Sequence, residues 1–93
     1  MEEQHCYIVS YDICRPDRNY AKLYTALKSF DNWGELTEST WAIVTTQSFI
    51  QIRDQLQKCI DEDDRLIVIK GGGSAAWTKI LASPEWLKIN LIK

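Results

Sequence analysis

The sequence predicts an α+β domain: a four-stranded antiparallel sheet, two helices on one of its faces, and a short helical C-terminal extension. Three observations predict it. Runs rich in β-branched and aromatic residues occur near residues 6–13, 40–45 and 66–69, and the segments between them carry apolar residues at helical spacing. With a shorter strand before residue 40, the order of elements reads βαββαβ. At 93 residues the chain makes one domain, with a core over residues 1–70 and a Gly-rich connector and helical tail over 71–93. A domain of this size hides only about 60–65% of its unfolded surface, so additional burial in an oligomer would stabilise it.

The first strand is Cys6-Tyr7-Ile8-Val9-Ser10-Tyr11-Asp12-Ile13, apolar on both alternation faces. Cys14-Arg15-Pro16-Asp17-Arg18 reads as a loop by its proline and charges. Tyr20, Leu23, Tyr24, Leu27 and Phe30 then give helix spacing from about Asn19 to Phe30. Asp31-Asn32-Trp33-Gly34 stops that helix, and Glu35-Leu36-Thr37 and Thr40–Thr45 form two strands about a tight connection at Glu38-Ser39. Ser48 caps a second helix whose apolar stripe is Phe49, Ile52, Leu56, Cys59 and Ile60. After the acidic turn Asp61-Glu62-Asp63-Asp64, the run Leu66-Ile67-Val68-Ile69 suits a central or fully buried strand. This order is the ferredoxin-like, split βαβ arrangement. Apolar side chains remain on the sheet face away from the helices, and a partner subunit, the tail, or both must cover them. In the tail, Ser74 is expected to cap a short helix over Ala75–Leu81, and Ser83-Pro84-Glu85 to open another.

Composition narrows the function classes. The chain is 45% hydrophobic and 26% charged with net charge −2, which excludes disorder and argues against indiscriminate nucleic-acid binding. No run reaches the ~20 apolar residues of a membrane helix, and the acidic start Met1-Glu2-Glu3-Gln4 is unlike a secretory signal, so a cytoplasmic protein is expected. Cys6, Cys14 and Cys59 form no CxxC pair, and His5, the only histidine, has no second ligand at metal spacing. Reduced structural thiols are the expectation, and neither a zinc site nor a Cys–His dyad.

Asp12 is the candidate for chemistry. A carboxylate at the end of a buried strand takes a metal, a cation or backbone N–H donors as partner, or simply caps the loop that follows. Arg15, Arg18, Lys22 and Lys28 make one locally basic stretch, and Lys70, Lys79, Lys88 and Lys93 another; each either meets phosphate or is solvated helix charge. Gly71-Gly72-Gly73-Ser74 is either a flexible connector or a weak anion cradle lacking a P-loop lysine. Tyr20 and Tyr24 are expected in the core, and Trp77 and Trp86 over the uncovered sheet face.

Tyr7-Ile8-Val9-Ser10-Tyr11-Asp12-Ile13 together with the βαββαβ order resembles the CRISPR-associated protein 2 superfamily, small ferredoxin-like dimers that include VapD-type toxins. The compact bacterial proteins called SinR-like are more similar still. That likeness runs through Tyr11-Asp12, Pro16 and Tyr20, then Ser39-Thr40-Trp41, Ile52-Arg53-Asp54 and Ala75-Ala76-Trp77. The resemblance implies a homodimer in which Asp12 of both subunits holds Mg²⁺ or Mn²⁺ for phosphodiester cleavage, of RNA rather than DNA, with Arg15 and Arg18 on phosphate. Some members of the superfamily are instead dimeric scaffolds, so the implied alternative is a noncatalytic module for nucleic acid, a nucleotide or a protein. Here the basic run after Asp12 is sparser than in the CRISPR proteins, and Gly-rich linker and helices stand where their crossing C-terminal strand would be.

Overall fold

A computed structural model describes residues 3–14 and 20–91. Its elements are β1 His5–Asp12, α1 Ala21–Lys28, β2 Asn32–Thr37, β3 Thr40–Thr45, α2 Phe49–Gln57, β4 Arg65–Lys70 and α3 Pro84–Asn90. The four strands form one antiparallel sheet in the order β2-β3-β1-β4. β1 and β2 therefore run parallel with β3 between them, and β3 and β4 run parallel with β1 between them. Those are the two interlocked βαβ units of the expected α+β, ferredoxin-like fold.

Alternation along the strands sorts the side chains. Tyr7, Val9, Tyr11, Trp41 and Ile43 point to the helices and pack with Leu23, Leu27, Ile52 and Leu56 into the core. α2 begins where the sequence places it: Ser48 accepts from the Gln51 N–H and the Gln51 side chain accepts from the Ser48 N–H, a complete capping box. The Glu38-Ser39 turn likewise joins β2 to β3.

Three expectations are corrected. The Asn32-Trp33-Gly34 stretch, read as a helix stop, is the first half of β2, because Asn32, Trp33 and Gly34 find partners in Val44, Ile43 and Ala42. β4 is an edge strand, not a central one. Its apolar run packs Leu66 and Val68 against the core, while Ile67 and Ile69 remain 54% and 51% exposed on the other face. Residues 75–81 form no helix; Lys79 takes a left-handed φ of 53° and the Leu81 N–H bonds to the Leu36 carbonyl at 3.0 Å. A tertiary backbone bond has overridden local helix propensity.

α3 forms as expected, with Ser83 accepting from the Trp86 N–H and Pro84 in the first turn. It covers part of the sheet's second face. Its Leu87 is buried, as are Ala42 and Val44 of β3. The Trp86 ring lies so close over β2 that a Cβ at Gly34 would come within 3.1 Å of it. Trp86 Nε1 donates to Asn32 Oδ1 at 2.9 Å, and Asn32 Nδ2 donates to Asn90 Oδ1 at 2.7 Å. Among the described residues nothing covers the β1–β4 half of that face, which holds Ile8, Ser10, Ile67 and Ile69.

Candidate functional site

Asp12 is the last residue of β1 and lies opposite Arg65, the first residue of β4. That register makes their pairing a property of the sheet, and Arg65 Nη1 donates to Asp12 Oδ2 at 2.7 Å. Both side chains stay accessible, at 65% for Asp12 and 76% for Arg65. The bond to Asp12 first, then the neighbouring Cys14 and the Asp12 charge, raises the Arg65 guanidinium further above its already high range. Of the partners open to Asp12, the structure supplies a cation from the same chain. Asp12 also shares its strand face with Ile8 and Ser10, and so stands at one end of the open apolar patch.

Beside it, the segment leaving β1 is pinned to the acidic turn before β4. The Cys14 N–H donates to Asp64 Oδ1 at 2.9 Å and its Sγ to the Asp63 carbonyl at 3.0 Å. Asp64 Oδ2 accepts from the Asp61 N–H at 2.9 Å. These carboxylates and carbonyls organise two loops. Arg15 and Arg18, the expected phosphate contacts, lie outside the described residues. Among the described residues no group of three or more His, Cys, Asp or Glu side chains is placed to hold a metal ion. His5 lies 3.8 Å from Glu3 and edge-on to Tyr7, and all three cysteines are free thiols. Among the described residues, Asp12 is thus a single carboxylate already paired with Arg65, and the described donors of one subunit do not make up a Mg²⁺ or Mn²⁺ ligand set.

On the helix side, Trp41 organises an aromatic group. Its Nε1 donates to the Tyr11 hydroxyl at 3.1 Å, and that hydroxyl donates to the Glu38 carbonyl at 2.9 Å. Trp33 and Tyr24 pack on Trp41 with ring centroids 5.4 and 6.5 Å away, and Lys28 Nζ stands 5.7 Å over the Trp33 ring. Tyr20 is in the core as expected, whereas Tyr24 is partly exposed. Burial, reinforced by Tyr24 and Glu35 and opposed by the Trp41 bond, pushes the Tyr11 hydroxyl up to about 12. An unfolded tyrosine ionises near 10, so between the two values the native state keeps a proton that the unfolded state has lost. Stability from this group is complete below about pH 10 and is lost as pH rises towards 12, by roughly 2–3 kcal/mol for a two-unit difference. Urea unfolding from pH 9 to 12 of wild type and Tyr11→Phe is expected to show the steeper decline in wild type; parallel declines would refute it.

Arg65 is the site residue that sequence reasoning misses. It is 53 positions from Asp12, and only the β1–β4 register brings the two together. No helix among the described residues is long and apolar enough to cross a membrane. Comparison of the chain with protein-family models, with curated proteins and with solved structures finds no match.

Proposed function

We propose that the protein acts as a homodimeric, noncatalytic module resembling the scaffold members of the CRISPR-associated protein 2 superfamily. Its dimer packs through the open β1–β4 half of the sheet, with the Asp12–Arg65 pairs of both chains beside the contact. The observation that carries this reading is the ion pair itself: a carboxylate neutralised by an arginine of its own chain needs no metal to relieve its charge. The resemblance implies nucleic acid as the partner. Arg65 uses one of its five N–H donors on Asp12 and is exposed, which leaves donors for a phosphate.

A metal-dependent nuclease is the second reading, and a separate observation favours it. Asp12 stands at the end of the open face, so a two-fold axis passing beside that end would bring two carboxylates towards each other, and paired carboxylates attract a cation. Bound Mg²⁺ or Mn²⁺ would supply Lewis acidity and an activated water; Asp12 of each chain would hold it, and Arg65 would turn to the substrate phosphate.

Purified wild type, Asp12→Ala and the double variant Ile67→Lys/Ile69→Lys distinguish the two. Wild type and Asp12→Ala are expected to elute as the same dimer, with equal melting temperatures because the pair is solvent-exposed. The double-lysine variant is expected to be monomeric. Neither dimer should cut single-stranded RNA or duplex DNA with Mg²⁺ or Mn²⁺. Metal-dependent cutting that disappears in Asp12→Ala would establish the nuclease instead, and a monomeric wild type would eliminate both.

A further inference from the structure

We propose that the loop Gly71–Gly73, with Lys70 and His5, binds a phosphate monoester at the opposite end of β1 from Asp12. A cleft of about 220 Å³ opens there, lined by His5, Lys70, the three glycines and Asn90 among others. Clefts that enclose whole organic ligands run from about 300 Å³ upwards. This one suits a phosphate group whose parent molecule extends outwards.

The three glycines are not equivalent. Gly71 is fixed by packing: a Cβ there would fall 2.9 Å from Leu91 Cδ1 and 3.1 Å from the backbone oxygen of Cys6, which cannot yield. Its N–H is already used, donating to that oxygen at 2.8 Å. Gly73 has φ of 83°, a left-handed conformation that favours glycine. Gly72 has neither reason. Its φ is not positive and nothing lies within 4 Å of the place a Cβ would take, so the fold would accept a side chain there. What the bare backbone at Gly72 provides is close approach from the cleft.

Some donors at that opening are engaged, Gln4 Nε2 with Asp31 and Asn90 Nδ2 with the Trp86 carbonyl, but others are available. The Gly72 and Gly73 N–H groups make no hydrogen bond among the described residues. Lys70, the last residue of β4, lines the cleft with no carboxylate within ion-pair distance among the described residues. Successive free backbone N–H groups, with a lysine on the rim of the same cleft, are an anion-binding combination that supplies both direction and charge. Among the described residues, Glu3 lies 3.8 Å from His5 and Asp31 accepts from Gln4 Nε2 at 3.2 Å. Neither carboxylate lines the cleft. The eight residues of β1 at about 3.3 Å each separate the cleft from Asp12 by roughly 23 Å, so this inference does not depend on the role given to Asp12.

The test is titration of ¹⁵N-labelled protein with inorganic phosphate at constant ionic strength, following amide shifts. The Gly72 and Gly73 amides are expected to move saturably with phosphate and not with chloride. Lys70→Gln should weaken binding roughly tenfold or more, the loss of one charge-assisted hydrogen bond. Gly72→Ala should weaken it in the same direction, with both variants melting as wild type does. A 5′-phosphorylated trinucleotide should move the same amides, and its 5′-hydroxyl form should not. Non-saturable shifts, equal response to chloride, or unchanged affinity in both variants would overturn the site. Equal response to both trinucleotides would overturn its assignment to a phosphate monoester.

Discussion

Replacing Trp41 by alanine is expected to remove about 3–5 kcal/mol of stability, the cost of truncating a large buried aromatic. Small domains have only about 5–15 kcal/mol in total. Trp41 is 2% exposed and sits on β3, one of the two inner strands. It is the surface on which Trp33 and Tyr24 pack, and its indole N–H is the donor to Tyr11. The variant therefore leaves a cavity, removes a hydrogen bond and loosens two neighbouring rings together. Urea unfolding followed by far-ultraviolet circular dichroism would show a large fall in midpoint or no cooperative transition. A change below 1 kcal/mol would show that the aromatic group is not a structural centre. Trp41→Phe retains much of the apolar area without the N–H, and its smaller expected loss separates packing from hydrogen bonding.

Leu87→Ala is expected to cost about 2–5 kcal/mol through a different layer. Leu87 is the fully buried residue of α3, on the side of the sheet that α1 and α2 do not cover. Truncating it weakens the seal over Ala42 and Val44 and the docking of Trp86 on Gly34. Gly34→Val attacks the same contact from the sheet side, since a Cβ there meets the indole ring. Hydrogen exchange should show β2 opening more readily in both variants while β1, central to the ladder, keeps its protection. An undisturbed β2 in both would mean that α3 does not brace the sheet.

Local signals made most of the fold legible, and the departures arise where a tertiary partner decided the outcome. Ser48 with Gln51 and Ser83 with Pro84 place two helix starts, because caps act over three residues. Leu66–Ile69 announces a strand but not its position, since an apolar run on both faces looks the same in a buried strand and in an edge strand with one face uncovered. Ala75–Leu81 carries helix-forming residues, yet the chain is held by a backbone bond to Leu36 that no local pattern encodes. The candidate site divides in the same way. Asp12 stands out by its place at a strand end. Arg65 follows a run of four acids and looks like ordinary turn charge until the β1–β4 register sets it against Asp12.

The two rims of the sheet are unequal, and this bears on how copies can accumulate. Along β2 the tail lies close enough for Leu81 to bond Leu36, whereas nothing among the described residues pairs with the outer side of β4. A sheet with two open rims can add copies without end and grow into fibres. A sheet with one open rim can join only the like rim of another copy, and that join closes at two. In such an antiparallel join, Arg65 at one end of β4 would approach Lys70 of the copy, so like charges oppose even the closed form. The tail that covers the second face thus also occupies one carbonyl of the β2 rim, and trimming it would leave both rims free to pair.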